Sequence, residues 1–416
     1  MGIEKSAVKH DPYAVLKIPE FRLFVLARLS LTLALQIQSV IVGWQIYDLT
    51  QDPLALGLIG LAEAIPSIIV ALYAGHVADS TSRKKIIITC VLVLLVCSSA
   101  LLVYSFNIHQ SMAVLGTIPI YSVIFLSGIA RGFFGPATFS FMPQLLPDKT
   151  WYINAVSWSS TTWQGASVAG PAIGGLLYGF FGVQASYSAD VGLTLMALLF
   201  FFLIAAKPLP ENTQRLPIKE SLLSGIRFVF NNQVILSAIS LDLFAVLFGG
   251  AVALLPIFAS EILHTGPQGL GFLRAAPALG SVAMAVYITH HPIKIDAGKK
   301  MLLCVAGFGV CMILFGLSTN FYFSLLLLGL SGVFDSISVI IRSTLMQTLT
   351  PEHMKGRVSS VNNIFVGSSN EIGSFESGAV AKLMGVVSSV VFGGCMTLLV
   401  VGITAFKADK LRKLNL

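Results

Sequence analysis

A chain of 416 residues with 55% apolar and only 11% charged side chains cannot cover itself with a water-facing surface, since soluble domains carry about 25% charged residues. The composition excludes an ordinary soluble enzyme or binding module and points to a bilayer as the solvent for most side chains. The net charge of +7 suggests a nucleic-acid partner only until the bases are placed along the chain.

The N-terminus, MGIEKSAVKHDPYAVLKIPEF, is polar and has no apolar core before residue 21, so no cleavable signal peptide is expected. Its loose match to a myristoylation pattern is discounted for a chain with many spans of its own. Twelve segments then qualify as membrane helices of roughly 20 or more mostly apolar residues: 21–49, 54–78, 86–106, 112–142, 151–181, 185–206, 233–261, 268–290, 300–318, 321–349, 357–384 and 386–407. Pro66, Pro136, Pro171, Pro256 and Pro277 lie inside them, as membrane helices tolerate. The five cysteines all sit in apolar runs without metal-ligand or disulfide spacing and read as small buried hydrophobes.

All but five of the 26 Lys and Arg fall in the N-terminal arm, the C-terminal tail or the even-numbered gaps between segments; the five, Arg28, Arg131, Arg274, Arg342 and Lys382, lie within helices. The odd-numbered gaps hold none. This positive-inside pattern predicts an even number of spans with both termini in the cytoplasm, and it makes the net charge topological rather than a nucleic-acid footprint. The longest inner gap, 207–232, opens KPLPENTQRLPIKE and contains SLLSGIRFVF, which reads as a short surface helix. It separates an N-terminal unit, 1–206, from a C-terminal unit, 233–416, each of six helices.

The two units resemble each other. A shift of 214 positions places LGL at 56–58 on LGF at 270–272, His76 on His290, Lys85 on Lys299, and Cys90 and Cys97 on Cys304 and Cys311. Each match is weak; together they argue for a duplicated six-helix unit, a plan common among secondary transporters. The fold class expected is therefore an all-α membrane protein of twelve transmembrane helices in two pseudo-symmetric halves.

Three stretches carry more than topology. Between the second and third segments stands GHVADSTSRKK, residues 75–85, with an acid four residues before three bases. In the fifth segment stands ASVAGPAIGG, residues 166–175, where glycines permit close backbone approach and Pro171 frees a carbonyl. In the fourth stands Arg131-Gly-Phe-Phe-Gly135, with an arginine that costs at least about 2.5 kcal/mol in hydrocarbon unless it meets a partner or water. With the twelve segments, these stretches resemble the major facilitator superfamily. FRLFVLARLSL, PIKESLLSGIRFVF and LMQTLTPEHMKGRVSSVNN extend the likeness to its bacterial enterobactin-exporter-like branch over nearly the whole chain.

The resemblance implies a gating motif at Gly75, Asp79, Arg83, Lys84 and Lys85; from charge alone the same stretch reads as an ordinary positive-inside loop. It implies an antiporter-like motif at Gly170, Pro171, Gly174 and Gly175, with Ala166 where the family carries its first glycine. For Arg131 it implies a structural or proton-handling role. The second unit offers only HHPIKIDAGKK at the place of the first loop, so the acid of that copy has moved or gone.

The residues themselves add the acids within helices. Taking a carboxyl out of water favours its neutral form, so Asp242, Glu371, Glu376, Asp335 and Glu63, with Arg131, are candidates for proton coupling. Asp190 lies about a turn and a half into the sixth segment. Any one acid also reads as half of a static pair; Arg28 with Asp242 is one such candidate, since the 214 shift places them at equivalent positions. No phosphate-binding G-x-x-x-x-G-K-[ST] sequence is present, so a proton gradient is the natural drive. The eleventh segment, RVSSVNNIFVGSSNEIGSFESG, is too polar to face lipid. Substrate-cavity candidates are Gln36, Arg28, Trp158, Phe244, Asn363 and Asn370, each of which also reads as a helix-packing residue. His290-His291 has no acid or cysteine at ligand spacing, so no metal and no cofactor is expected. No nucleophile–base set is visible, so an enzyme is not expected either.

The reading is a proton-coupled exporter of small amphipathic or aromatic molecules, drug or siderophore in type. It would act as a monomer in the cytoplasmic membrane of a bacterium, with the substrate, protons and lipid as its partners. The alternatives are a facilitator or importer of a small nutrient without proton antiport, and a non-transporting membrane receptor or scaffold.

Overall fold

The computed structural model describes residues 13–106, 115–148, 151–208, 218–291, 296–351, 354–412 and 414. The described chain is helical: α1 (Pro19–Thr50), α2 (Pro53–Ser80), α3 (Arg83–Phe106), α4 (Ile118–Phe141), α5 (Tyr152–Leu203), α6 (Ile218–Asn231), α7 (Gln233–Gly249), α8 (Gly266–His290), α9 (Ala297–Leu317), α10 (Phe321–Leu349), α11 (Lys355–Met384) and α12 (Val386–Lys407), with short helical turns between some of them.

Local chemistry sets the ends. Pro19 and Pro53 stand in the first turns of α1 and α2, where a missing N–H costs nothing. Asp52, Asn232 and Asn320 accept hydrogen bonds from the first free N–H groups of α2, α7 and α10, the N-cap role of short polar side chains.

Among the described residues, ten helices are long and apolar enough to cross a membrane, against twelve segments expected. Two features account for the difference. The segments 151–181 and 185–206 run together as α5, interrupted only at Gly182, whose φ of 81° and ψ of −179° suit glycine alone. And α11, at 30 residues, has the length of a span but carries the polar residues noted above. The seventh segment also ends early as regular helix. After Gly249 the chain passes through a 3-10 turn, the short helix Leu255–Ile257 and a π-turn at Phe258–Ile262, where Gly250 and Pro256 interrupt the backbone ladder.

The helices before residue 208 pack mainly on one another, α1 along α5, α2 on α4, and α3 on α4 and α5; those after residue 232 do likewise, with α8 on α10, α9 on α10 and α12, and α7 on α11 and α12. Two seams join the groups: α2 against α11 and α5 against α8. Both depend on absent side chains. A Cβ at Gly175 would lie 2.6 Å from the Cα of Gly271, and one at Gly378 would lie 2.8 Å from the Cα of Gly57. Polar bonds flank them: Lys382 to Asp52 at 2.6 Å, Arg274 Nη1 to Ser39 Oγ at 2.7 Å, and the Tyr47 hydroxyl to Glu261. Lys382 holds the Asp52 carboxyl below the usual aspartate range. This bridge therefore contributes fully above that range and is lost as pH falls through the lowered value.

Gly175→Ala is expected to lower the stability of the purified protein by about 1–3 kcal/mol, the cost of overpacking a close contact. Gly192→Ala, at a glycine with no neighbour within 4 Å, is expected to be neutral or stabilising by up to about 1 kcal/mol. Thermal unfolding in detergent compares the two.

Candidate functional site

Mid-helix in the α2–α11 seam, three charged side chains from three helices meet. Arg131 of α4 forms an ion pair with Glu63 of α2, the two side chains 43% and 22% exposed. Glu371 of α11 lies within electrostatic reach of both. Its helix can come this close because position 60 is glycine: a Cβ there would lie 2.7 Å from the Glu371 carbonyl oxygen and 2.8 Å from Ser374 Cβ. The cluster thus places a carboxylate from the other side of the seam near a formed carboxylate–guanidinium pair. Two acids and one base leave one negative charge in excess, which a proton or a cation can remove.

The other candidates lie elsewhere. Asp242 of α7 pairs with Arg342 of α10, both side chains 5% exposed. The expected Arg28–Asp242 pair is not formed. Arg28 instead donates to Ser159 Oγ at 2.6 Å and lies 5.9 Å from the Phe24 ring centroid. Arg28 on α1 and Asp242 on α7 each find a partner within their own group of helices, so packing keeps them apart. Asp335 lines a small recess with Asp242. Glu376 lies one and a half turns beyond Glu371 on α11, next to Ser377, whose hydroxyl donates to the Gly250 carbonyl at 3.3 Å. Gln36 packs under Gly170, and Gly174 lies over Ile37, so these two glycines of the antiporter-like motif seat α5 on α1 while Gly175 faces α8. Trp158 meets Tyr13 at 5.7 Å, Phe244 stacks on Phe248 at 6.4 Å, and the Asn370 amide is spent on the Val366 carbonyl of its own helix. The side chain of Asn363 lies outside the described residues.

So do the surroundings of Gly75 and Asp79, although both positions fall in α2. The bases beside them are placed: Arg83 donates to the Ser140 carbonyl at 2.9 Å, Lys84 to the carbonyls of Phe202, at 2.9 Å, and Ile204, and Lys85 is exposed. They satisfy carbonyls that the last turns of α4 and α5 cannot bond internally.

Sequence reasoning gave no role to Arg274 or Glu261, and placed Asp190 without partners. Asp190 is 1% exposed and accepts from Gln38 Nε2 at 3.1 Å, which also donates to Ser98 at 3.2 Å. A glutamine inside the apolar first segment was the signal available for that network.

The profile of the transmembrane secretion effector family matches residues 10–415. The chain belongs to this family of the major facilitator superfamily. Among curated relatives of this secretion effector, the enterobactin exporter EntS of Escherichia coli O1:K1 is 28% identical over 394 residues, 92% of this chain and 90% of that one. Among solved structures, the fold matches an inward-facing, unoccupied bacterial homologue of the human lysosomal transporter Spinster, with a TM-score of 0.74, 13% identity and coverage of 94% and 97% of the two chains. It also matches the POT-family transporter PepTSo, with a TM-score of 0.72, 14% identity and coverage of 95% and 98%. The chain is thus a multi-pass membrane protein with a transporter fold.

Arg342→Met is expected to destabilise the protein by about 3–5 kcal/mol, because it strands Asp242. The double variant Asp242→Leu/Arg342→Met is expected to recover most of that loss, as measured by thermal unfolding of the three proteins side by side.

Proposed function

We propose that this protein is a proton-coupled exporter of small amphipathic or aromatic molecules, siderophore or drug in type, working by alternating access as a monomer in a bacterial inner membrane. The observation that carries the reading is the Glu63–Arg131–Glu371 cluster, which straddles a seam between the helices before residue 208 and those after residue 232. In this reading α5 counts as two spans broken at Gly182 and α11 as one, which gives twelve spans. They form two six-helix halves, 1–206 and 233–416, joined by a cytoplasmic linker at 207–232, with both termini in the cytoplasm.

Glu371 is an acid within a helix whose electrostatic neighbours, Glu63 and Arg131, sit on the opposite half. With the seam closed it shares Arg131 with Glu63, and a proton on Glu371 removes the excess charge. When the halves rock apart, Glu371 leaves that company and its affinity for the proton changes. Differential affinity between two states is what couples an ion to a conformational change. Arg131, exposed on one side, is free to attract an anionic group on the cargo once Glu63 is partly neutralised. Trp158, Phe244, Arg28 and Gln36 remain the proposed cavity groups, Asn363 and Asn370 with them. Gly75 and Asp79, with Arg83, Lys84 and Lys85, form the proposed cytoplasmic latch, and the glycines of 170–175 form the proposed flexing element. The export direction and the siderophore class are supported by the likeness to an enterobactin exporter over most of both chains.

The test is reconstitution into liposomes holding a pH-sensitive dye, with enterobactin as the probe cargo. Wild type is expected to exchange protons for cargo, with transport rising under an imposed pH gradient. Glu371→Gln is expected to lower gradient-driven transport at least tenfold while still binding the probe. Equal movement with and without the gradient, and no proton counter-flow, would reject proton exchange and leave a facilitator.

A further inference from the structure

One buried polar side chain in the C-terminal helices has no partner in anything described above. Ser338 of α10 is 1% exposed, and its Oγ forms no hydrogen bond. Burying a hydroxyl without a partner is costly, so a polar occupant is expected beside it. Ser338 faces a small recess between α7, α9 and α10 that Asp242 and Asp335 also line. Asp335 stands three residues earlier on the same helix, hence on the same face as Ser338. Among the described residues it makes no hydrogen bond and no ion pair. Asp242 meets Arg342 through Oδ2, and a carboxylate carries acceptor sites on both oxygens. The α9 wall, Val305 and Phe308, supplies no charge.

The charges decide what can sit there. Asp242 and Arg342 cancel, so ionised Asp335 leaves one negative charge uncompensated within the membrane span, a costly arrangement. A divalent ion would overshoot it. The donors are carboxylate and hydroxyl oxygens, which suit hard cations rather than metals that prefer sulfur or imidazole. The space admits about one water-sized sphere, far too little for an organic cargo. Every residue lining it follows residue 233, so it is separate from the seam cluster.

We propose that this recess is a binding site for one sodium ion, held by the carboxylates of Asp335 and Asp242 and the hydroxyl of Ser338. Sodium there ties α7 to α10 within the C-terminal group, so it acts on helix packing and not by touching the cargo. The inference goes beyond the transport reading, and its test needs neither cargo nor a proton gradient.

The experiment is thermal unfolding of the purified full-length protein in sodium chloride, potassium chloride or choline chloride at equal ionic strength, paired with retention of radioactive sodium. Sodium is expected to raise the unfolding temperature saturably, by several degrees, with retention of one ion per chain. Asp335→Asn and Ser338→Ala are each expected to abolish or strongly weaken both effects, and the surface control Asp409→Asn to keep them. Absence of a sodium-dependent shift and of retained sodium in wild type overturns the proposal, as does a full effect that survives both substitutions. If acidification in choline reproduces the shift and sodium adds nothing, the recess holds a proton and the sodium site is rejected. Sodium retention by wild type keeps the question decidable even if a variant fails to fold.

Discussion

Close backbone approach at two glycine seams is the constraint on which the rest of the molecule depends. Lipid tails are as apolar as leucine, so burying one greasy helix face against another gains little in a bilayer. What remains is contact between atoms and a few directed polar bonds. Gly57 with Gly378 and Gly175 with Gly271 bring α2 to α11 and α5 to α8 at backbone distance. Only at that distance can Glu371 reach the Arg131–Glu63 pair, Arg274 reach Ser39, and Lys382 reach Asp52. Widening either seam by a methyl group would stretch these polar contacts.

The charged residues inside the helices fall into two kinds. Asp242 with Arg342, and Asp190 with Gln38 and Ser98, are held within one group of helices. Their surroundings are fixed by packing that would have no reason to change if the groups moved. Glu63, Arg131 and Glu371 are divided between the groups, so their mutual distances are a property of the arrangement as a whole. Only the second kind can report or drive a relative movement. Its exposure fits that role, since Arg131 keeps contact with open space while Arg342 does not.

Much of the fold is legible in the sequence, because apolar segments of membrane length and the placement of bases are strong, local signals. The polar character of α11 is legible too: a helix carrying Asn370, Glu371 and Glu376 belongs against other helices, and it packs on α2 and α7. The partners of the individual charges are not legible. The 214-residue shift suggests Arg28 and Asp242 as a pair, and the packing gives each another partner. The actual partners, Ser159 and Arg342, lie 131 and 100 residues further along the chain, where only packing brings them. The breaks at Gly182 and Gly250 are visible as glycines in sequence, but nothing distinguishes them from glycines that merely make room. Asp190 reads as a lone acid until Gln38 is found beside it.

The anchoring of α3 has a mechanical consequence. Arg83 and Lys84 reach from its first turn to the final carbonyls of α4 and α5, bolting three helices together at one end. A push on the short connection between α2 and α3 is therefore not absorbed as loop motion. It arrives at α4 and α5 together, and a spectroscopic label at exposed Lys85 would report the tilt of the whole N-terminal group as a lever rather than the flutter of a loop.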